Sequence, residues 1–457
     1  MKEKVVLAYS GGVDTSVAIK WLREKYNVDI IAVTIDVGNE KDFKAVRQKA
    51  LKVGAKKALV LDGKELFVKY FIFPALQANA LYEGQYPLAT ALSRPLMAKL
   101  LVDTALAEGA AAIAHGCTGK GNDQVRFEVG INALAPEMKI LAPAREWGMT
   151  REETIKYAQK YEIPIPVTKK SPYSIDENLW GKSIECGALE DPWTEPPADV
   201  YTWTKSPDAT PAKPQYIEIG FEKGIPVSLD GEGMEGIALI QKMNDICGRH
   251  GIGRIDHIEN RVVGIKSREI YEAPAAVVLI QAHQALEAMT MSKDQLRFKQ
   301  KVAIEYADLI YNGLWFSQLN RDLSAYILSS QRYVTGTIRV KLFKGHATVV
   351  GRKSPWSLYN LSLATYDKGD KFNQKAAEGF IHLWGLPVKT QAQIQLLGDK
   401  EGPLSIVGPK VITYTCEICG RLFESKRVRK GPKYCAKCIS ELRKKRLGPR
   451  QNSKKIK

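Results

Sequence analysis

The stretch "VVLAYSGGVDTSVAIKWL", residues 5–22, passes from an apolar run through a glycine turn into helical spacing. Val5–Tyr9 predicts a buried strand, and Val13, Val17, Trp21 and Leu22 fall on one face of the helix that follows. Strand, glycine turn and helix start, in that order, make a phosphate cradle. The rhythm continues. "VDIIAVTIDVG" and "KKALVLDG" predict strands on either side of the charged helix "EKDFKAVRQKALKVG", and "GAAAIAHGCTGKGNDQ" and "KILAPAREW" extend the series. This alternation predicts an α/β fold, a doubly wound parallel-sheet nucleotide-binding domain over 1–166. Ligands of such sheets collect beyond the carboxyl ends of the strands.

Past Pro164-Ile165-Pro166 the pattern changes. A Pro-rich stretch over 191–215 predicts a long surface excursion. Residues 216–350 mix β-like runs such as "YVTGTIRVKLFKGHATVVG" with helical ones such as "EGIALIQKMNDICGRH". An α+β second domain over 167–371 is expected, then a C-terminal helical arm over 372–402. No stretch approaches the ~20 apolar residues of a membrane span, and the expectation is a cytoplasmic protein that uses no membrane.

The net charge of +17 is concentrated at one end. From Lys410 to Lys457 there are sixteen Lys/Arg against three acidic residues, whereas the rest of the chain carries 51 against 47. The cysteines divide likewise: Cys117, Cys186 and Cys247 are scattered singly, and the other four are Cys416, Cys419, Cys435 and Cys438. Two C-x₂-C pairs fifteen residues apart have the spacing of a tetrahedral structural zinc site. A small zinc module is therefore expected over 411–440, followed by a basic disordered tail over 441–457.

The first loop is neither G-x-G-x-x-G nor G-x-x-x-x-G-K-[ST]. It has the form S-G-G-x-D-x-S, the pyrophosphate loop of enzymes that split ATP between its α and β phosphates. Its glycines let backbone N–H groups approach phosphate oxygens, and hydroxyls at Ser10, Thr15 and Ser16 add donors. A second loop, "HGCTGKGNDQVRFE" (115–128), gathers Thr118, Lys120, Asn122, Asp123 and Arg126 within nine residues of a strand end.

These stretches, with "ALYEGQYPLATALSRP", "IPIPVTKKSPYSIDENLWGKSIECG" and "HGIGRIDHIENRVVGIKSREIYEAPAA", resemble the argininosuccinate synthase family from about residue 4 to about 400. The resemblance implies ATP-dependent condensation of citrulline and aspartate through a citrullyl-adenylate, with release of AMP and pyrophosphate. Mg²⁺ would sit on the leaving pyrophosphate. It implies that Ala8, Tyr9, Ser10, Gly11, Gly12, Val13, Asp14, Thr15 and Ser16, with Ile35 and Gly116, hold ATP. Thr118, Asn122 and Asp123 would hold aspartate. Tyr86, Ala91, Asn122, Arg126, Ser174, Ser183, Glu259 and Tyr271 would hold citrulline, with Arg126 a carboxylate clamp. Asp14, Thr15, Ser16, Asn122 and Asp123 form the candidate catalytic set. The family also implies a homotetramer. One segment departs from the family pattern Thr-Ser-Leu-Ala-Arg-Pro: here it is Thr90-Ala91-Leu92-Ser93-Arg94-Pro95, without a hydroxyl at 91 and with one at 93.

The zinc-and-basic tail is not a usual part of that family. A tail of this charge fits nucleic acid or another polyanion. The competing assignment is a pyrophosphate-loop tRNA-modifying enzyme that uses the tail to hold RNA. Thiolating enzymes of that kind need a sulfur-carrying cysteine in the catalytic body, where these cysteines are single and scattered.

Overall fold

A computed structural model describes residues 2–39, 41–164, 173–396, 412–425 and 433–446. The inter-domain boundary expected at 166, the start of the second domain and the basic run beyond 446 lie outside the described residues.

The first sheet contains β1 (Lys4–Ala8), β2 (Asp29–Asp36), β3 (Lys57–Asp62), β4 (Ala112–Ala114) and β5 (Lys139–Leu141), all parallel, in the order β3-β2-β1-β4-β5. The pleat sends alternate residues of β1 to opposite faces. Val5 and Leu7 join Ile19 and Leu22 of α1 (Val13–Tyr26) in one core. Val6 joins a second core with Leu92, Leu96 and Leu101 of a twenty-residue helix, Ala89–Glu108. With α2 (Phe43–Val53) placed before it, that long helix is α3. The sheet is thus covered on both faces. The strand order reverses between β1 and β4, so a crevice opens between their carboxyl ends. The helix α4 (Asn122–Leu134) follows β4 and packs along α3.

Two antiparallel sheets follow. The strands β6 (Ser174–Asn178), β7 (Gly181–Glu185), β11 (Arg254–Asn260) and β12 (Lys266–Glu272) lie in the order β11-β12-β7-β6. The strands β8 (Gln215–Glu222), β9 (Ile225–Leu229), β10 (Glu232–Gly233), β13 (Gly336–Phe343) and β14 (His346–Lys353) lie in the order β10-β9-β8-β13-β14. Ile217, Ile219 and Phe221 of β8 belong to the same core cluster as Val6 and Leu92, so both halves of the catalytic body close on shared apolar packing. Residues 1–360 form one compact unit and 361–457 a second.

In the second unit, helices Ala376–Trp384 and Leu386–Gln391 leave Phe380, Ile381, Leu383 and Trp384 exposed. The same unit holds a hairpin, β15 (Ile412–Thr415) with β16 (Leu422–Ser425), and a helix Ala436–Arg446. Among the described residues no helix is long and apolar enough to cross a membrane.

Candidate active site

The pyrophosphate-type loop is shaped by two features of its own sequence. Gly11 has φ +81°, a left-handed conformation that glycine alone adopts without strain. Gly12 then caps α1 with extended backbone and no capping side chain, which leaves the first N–H groups of a fourteen-residue helix for an anion. Ser16 is fully buried; its Oγ donates to Gly12 O at 2.7 Å and meets Tyr9 Oη at 3.1 Å. Its hydroxyl therefore pins the turn. Val13 packs into a separate cluster with Val17, Ala158 and Ile163, so it offers the crevice backbone only. Lys49, on α2, donates to Gly11 O at 2.8 Å and sets a cation beside the loop.

Ala8, Tyr9, Ser10 and Thr15 from this side, Val33, Thr34 and Ile35 from β2, and His115–Cys117 after β4 line a cleft of about 210 Å³. The two loops approach so closely that a Cβ on Gly116 would stand 2.8 Å from Thr15 Cγ2.

A second cleft of about 360 Å³ adjoins it and shares Ser10, Arg94, Gly116, Cys117, Asp123 and Asp176. Its floor is one face of the β11-β12-β7-β6 sheet. Cross-strand partners share a face, and the pairings Ser174↔Glu185, Asp176↔Ser183, Ser183↔Tyr271, Glu259↔Ser267 and His257↔Glu269 put the polar residues of four strands side by side. Ser174, Ser183, Glu259 and Tyr271, expected at the citrulline site, are thus neighbours by register alone. Tyr86, Thr118, Asn122, Asp123 and Arg126 complete the lining.

Glu259, almost fully buried, accepts hydrogen bonds from Tyr271 Oη at 2.5 Å and Tyr311 Oη at 2.6 Å. These rings stack on Tyr86 and Tyr82, with centroids 4.0 and 3.5 Å apart respectively. Asn122 joins the two halves: its Oδ1 accepts from Val262 N–H at 2.9 Å and its Nδ2 donates to Tyr311 Oη at 2.9 Å. Substrate contact at Asn122 must therefore share these bonds.

Asp123 lies between two buried guanidinium groups, its Oδ2 accepting from Arg94 at 2.7 Å and its Oδ1 from Arg126 at 3.0 Å. Burial alone would raise this carboxyl, but Arg94 and Arg126 outweigh it and hold the group below the usual carboxylate range. Arg126 also donates through Nε to Tyr311 O at 2.9 Å, while its buried Nη2 has no hydrogen-bond partner among the described residues. A buried guanidinium nitrogen left over in a cleft fits a carboxylate oxygen.

Ala91 is the exception among the residues expected at the citrulline site. It is fully buried in the apolar core and lines neither cleft. One position earlier on the helix, Thr90 takes the place at the wall, with its Oγ1 3.3 Å from Ser183 Oγ. Ser93 is also buried; its hydroxyl donates to Thr90 O at 2.9 Å and accepts from Arg94 Nη1 at 3.2 Å.

Arg94, Asp176, Lys49, Tyr311, Arg261 and Glu269 were not among the expected site residues. Arg261 donates to Glu269 at 2.8 Å, to Ser267 at 2.7 Å, to Glu185, and to Lys120 O at 3.3 Å, tying the floor to the 118–121 loop. Burial, then the like charges of Glu185 and Glu259, push the Glu269 carboxyl up to about 9. The folded protein therefore keeps a proton there that the unfolded chain releases above its ordinary value of 4.5. Stability from this group is complete below that value and is lost as pH rises through about 9. Glu269→Gln should remove this dependence. Between pH 6 and 8.5 the wild type should lose about 3 kcal/mol relative to the variant, a Tm difference that widens by several degrees. Parallel melting curves at both pH values would contradict it.

In the C-terminal unit the four sulfurs of Cys416, Cys419, Cys435 and Cys438 lie within 4.8 Å of one another. Cys419 and Cys435 Sγ are 3.7 Å apart, well beyond a disulfide bond. Gly420, at φ +67°, closes the first knuckle, its N–H donating to Cys416 O at 2.9 Å, and Cys435 N–H donates to Cys416 Sγ at 3.3 Å. The core around them is three cysteines with Phe423 and Tyr434 packed against it.

A glycine loop at the switch point of a parallel sheet, opening onto a polar cleft built by a second sheet, defines a nucleotide-dependent enzyme that brings another substrate to the nucleotide. Residues 4–164 match the family described as Arginosuccinate synthase N-terminal HUP domain, and residues 173–391 that described as Arginosuccinate synthase C-terminal domain. The chain belongs to the argininosuccinate synthase family. An argininosuccinate synthase of Dehalococcoides mccartyi is 67% identical over 401 residues, which cover 88% of this chain and 99% of the relative. That of Symbiobacterium thermophilum is 58% identical over 395 residues, 86% of this chain and 98% of the relative. Among solved structures, the U34-tRNA thiolase NcsA from Methanococcus maripaludis is 18% identical, with a TM-score of 0.25 over 36% of this chain and 60% of its own. That likeness is too slight to carry an argument.

Proposed function

We infer that the protein condenses citrulline with aspartate, converting ATP to AMP and pyrophosphate through a citrullyl-adenylate. It is an AMP-forming carbon–nitrogen ligase of arginine biosynthesis, working in the cytoplasm. The observation that carries this reading is the junction of the two clefts at Arg94, Asp123 and Asp176, within a chain of this family.

The ureido carbon of citrulline is a poor electrophile with no good leaving group, and adenylation of its oxygen supplies one. The loop Ala8–Ser16, Ile35 and Gly116 receive ATP: backbone N–H groups of the α1 start meet phosphate, and β2 with the 115–117 segment walls the nucleotide. Mg²⁺ neutralises the leaving pyrophosphate when bound, and Asp14 is the carboxylate the loop offers it. Arg126 takes a substrate carboxylate through its spare Nη2, and Glu259, Ser174, Ser183 and Tyr271 hold the rest of citrulline. Thr118 and Asn122 orient aspartate, with the ionised Asp123 facing its ammonium. Placement and charge stabilisation do the work. Cys117 lines both clefts, yet burial pushes its thiol up to about 12, and burial raises Cys186 and Cys247 as well. None has the thiolate character that sulfur transfer in a tRNA-modifying enzyme would need.

The chain forms a homotetramer, with the exposed apolar helices of the 372–402 arm covered by other subunits. The four C-terminal cysteines hold one structural Zn²⁺, because a module with so small an apolar core needs a metal at its centre. Purified protein with citrulline, aspartate, ATP and Mg²⁺ should yield AMP and pyrophosphate in equal amounts. ADP in their place, or no turnover with all substrates present, would overturn the assignment.

A further inference from the structure

The alignment with the Dehalococcoides relative takes in 99% of that protein but only 88% of this chain, and the family match stops at residue 391. The described residues that line the two clefts belong to the unit that ends at residue 360. What lies beyond the family match therefore calls for a function of its own, and its stretch from Lys410 to Lys457 carries sixteen of the chain's 67 basic residues.

Some of those cations sit on a folded scaffold. The helix Ala436–Arg446 begins between Cys435 and Cys438, so the cysteine cluster anchors its first turn. Lys437, Arg443 and Lys444 are exposed along it, and Arg421 and Lys433 are exposed nearby in sequence. Among the described residues of the module, one ion pair is formed, Lys433 with Glu417 at 3.7 Å. The charge is thus displayed outward instead of being spent internally. A helix that lies on a membrane needs bulky apolar residues opposite its cations. Here that side offers Ile439 and Leu442, and no aromatic residue follows Tyr434. Six of the sixteen cations are arginines, whose planar forks match phosphate oxygens.

We propose that the cysteine-closed C-terminal module binds the phosphodiester backbone of nucleic acid, independently of catalysis. The proposal rests on the zinc reading only for the way the helix is held. Neutralising zinc ligands and neutralising helix cations are therefore separate experiments.

Fluorescence anisotropy of full-length protein with a labelled mixed-sequence RNA of about 20 nucleotides, and with the matching single-stranded and duplex DNA, provides the test. Counterion release predicts a steep salt dependence. Six phosphate contacts would weaken binding about 10³-fold between 50 and 200 mM salt. The triple variant Lys437→Gln/Arg443→Gln/Lys444→Gln should bind at least about tenfold more weakly at low salt and show a shallower salt slope, with argininosuccinate formation unchanged. The RNA and DNA arms decide which polymer is preferred. Wild-type affinity in the triple variant would overturn the proposal. So would competition by polyglutamate, or by phosphatidylserine vesicles, as strong as that by unlabelled RNA. Elemental analysis of the same preparations separates the two readings. RNA binding without zinc overturns the zinc reading and leaves this proposal standing; one zinc per chain without RNA or DNA binding does the reverse.

Discussion

Arg126→Met is expected to lower kcat/KM for citrulline by roughly 10- to 150-fold, chiefly through KM, with a much smaller effect on the KM for ATP. One lost hydrogen bond between charged groups is worth about 1.5–3 kcal/mol, which sets that range. The geometry gives two reasons to expect the upper part of it. The buried Nη2 has no hydrogen-bond partner among the described residues and is the Arg126 nitrogen left over for a ligand; Arg94 Nε is the other guanidinium nitrogen of the cleft without a partner there. Nη1 is one of the two cationic contacts that keep Asp123 ionised. Arg126→Lys should rescue little, because an ammonium cannot reach Tyr311 O, Asp123 and a substrate carboxylate with one planar fork. Initial rates over a citrulline titration check the prediction, with thermal melting to confirm that each variant is folded. A citrulline KM equal to that of the wild type would remove Arg126 from the site.

Arg94→Met should have the larger effect, a loss of about 10²- to 10³-fold in turnover together with lower stability. Arg94 Nη2 contacts both Asp123 and Asp176 at the junction of the clefts, and removing it leaves Asp123 with Arg126 alone and takes a cationic partner from the partly exposed Asp176. Breaking a fully buried pair typically costs about 3–5 kcal/mol, and the partial exposure of both carboxylates puts the loss of stability here below that range. A second substitution separates charge from packing. Arg94→Met/Asp176→Asn should melt at a higher temperature than Arg94→Met, since one unpaired charge is gone. If the double variant is no more stable, Arg94 acts through packing and the charge account is wrong. Ser93 accepts a hydrogen bond from Arg94 Nη1, so the hydroxyl that departs from the family pattern lies behind this same guanidinium.

Much of this site can be seen in the linear chain, for a definite reason. The S-G-G-x-D-x-S loop is local: its turn, its helix cap and its N–H donors come from consecutive residues, and Gly11 and Gly12 adopt the backbone that their lack of a side chain permits. The floor of the second cleft is nearly as local, because strand alternation puts Ser174 with Asp176, and Glu269 with Tyr271, on one face before any packing is known. The cysteine spacing belongs to the same class.

The rest depends on contacts between distant segments, which sequence period alone does not place. Ala91 and Thr90 are adjacent, but on a helix adjacent residues point about 100° apart, and the packing of α3 decides which one faces the cleft and which the core. Tyr311 reaches Asn122 across 189 residues and Arg261 reaches Lys120 across 141. Glu269 holds its proton because the fold buries it beside Glu185 and Glu259, neighbours that no spacing rule brings together. Hydrogen-bonding types and turn geometry are written in the local order of residues. Desolvation and the partner of each buried charge arise only when separate elements close on one another, and these set the ionisation of Asp123 and Glu269.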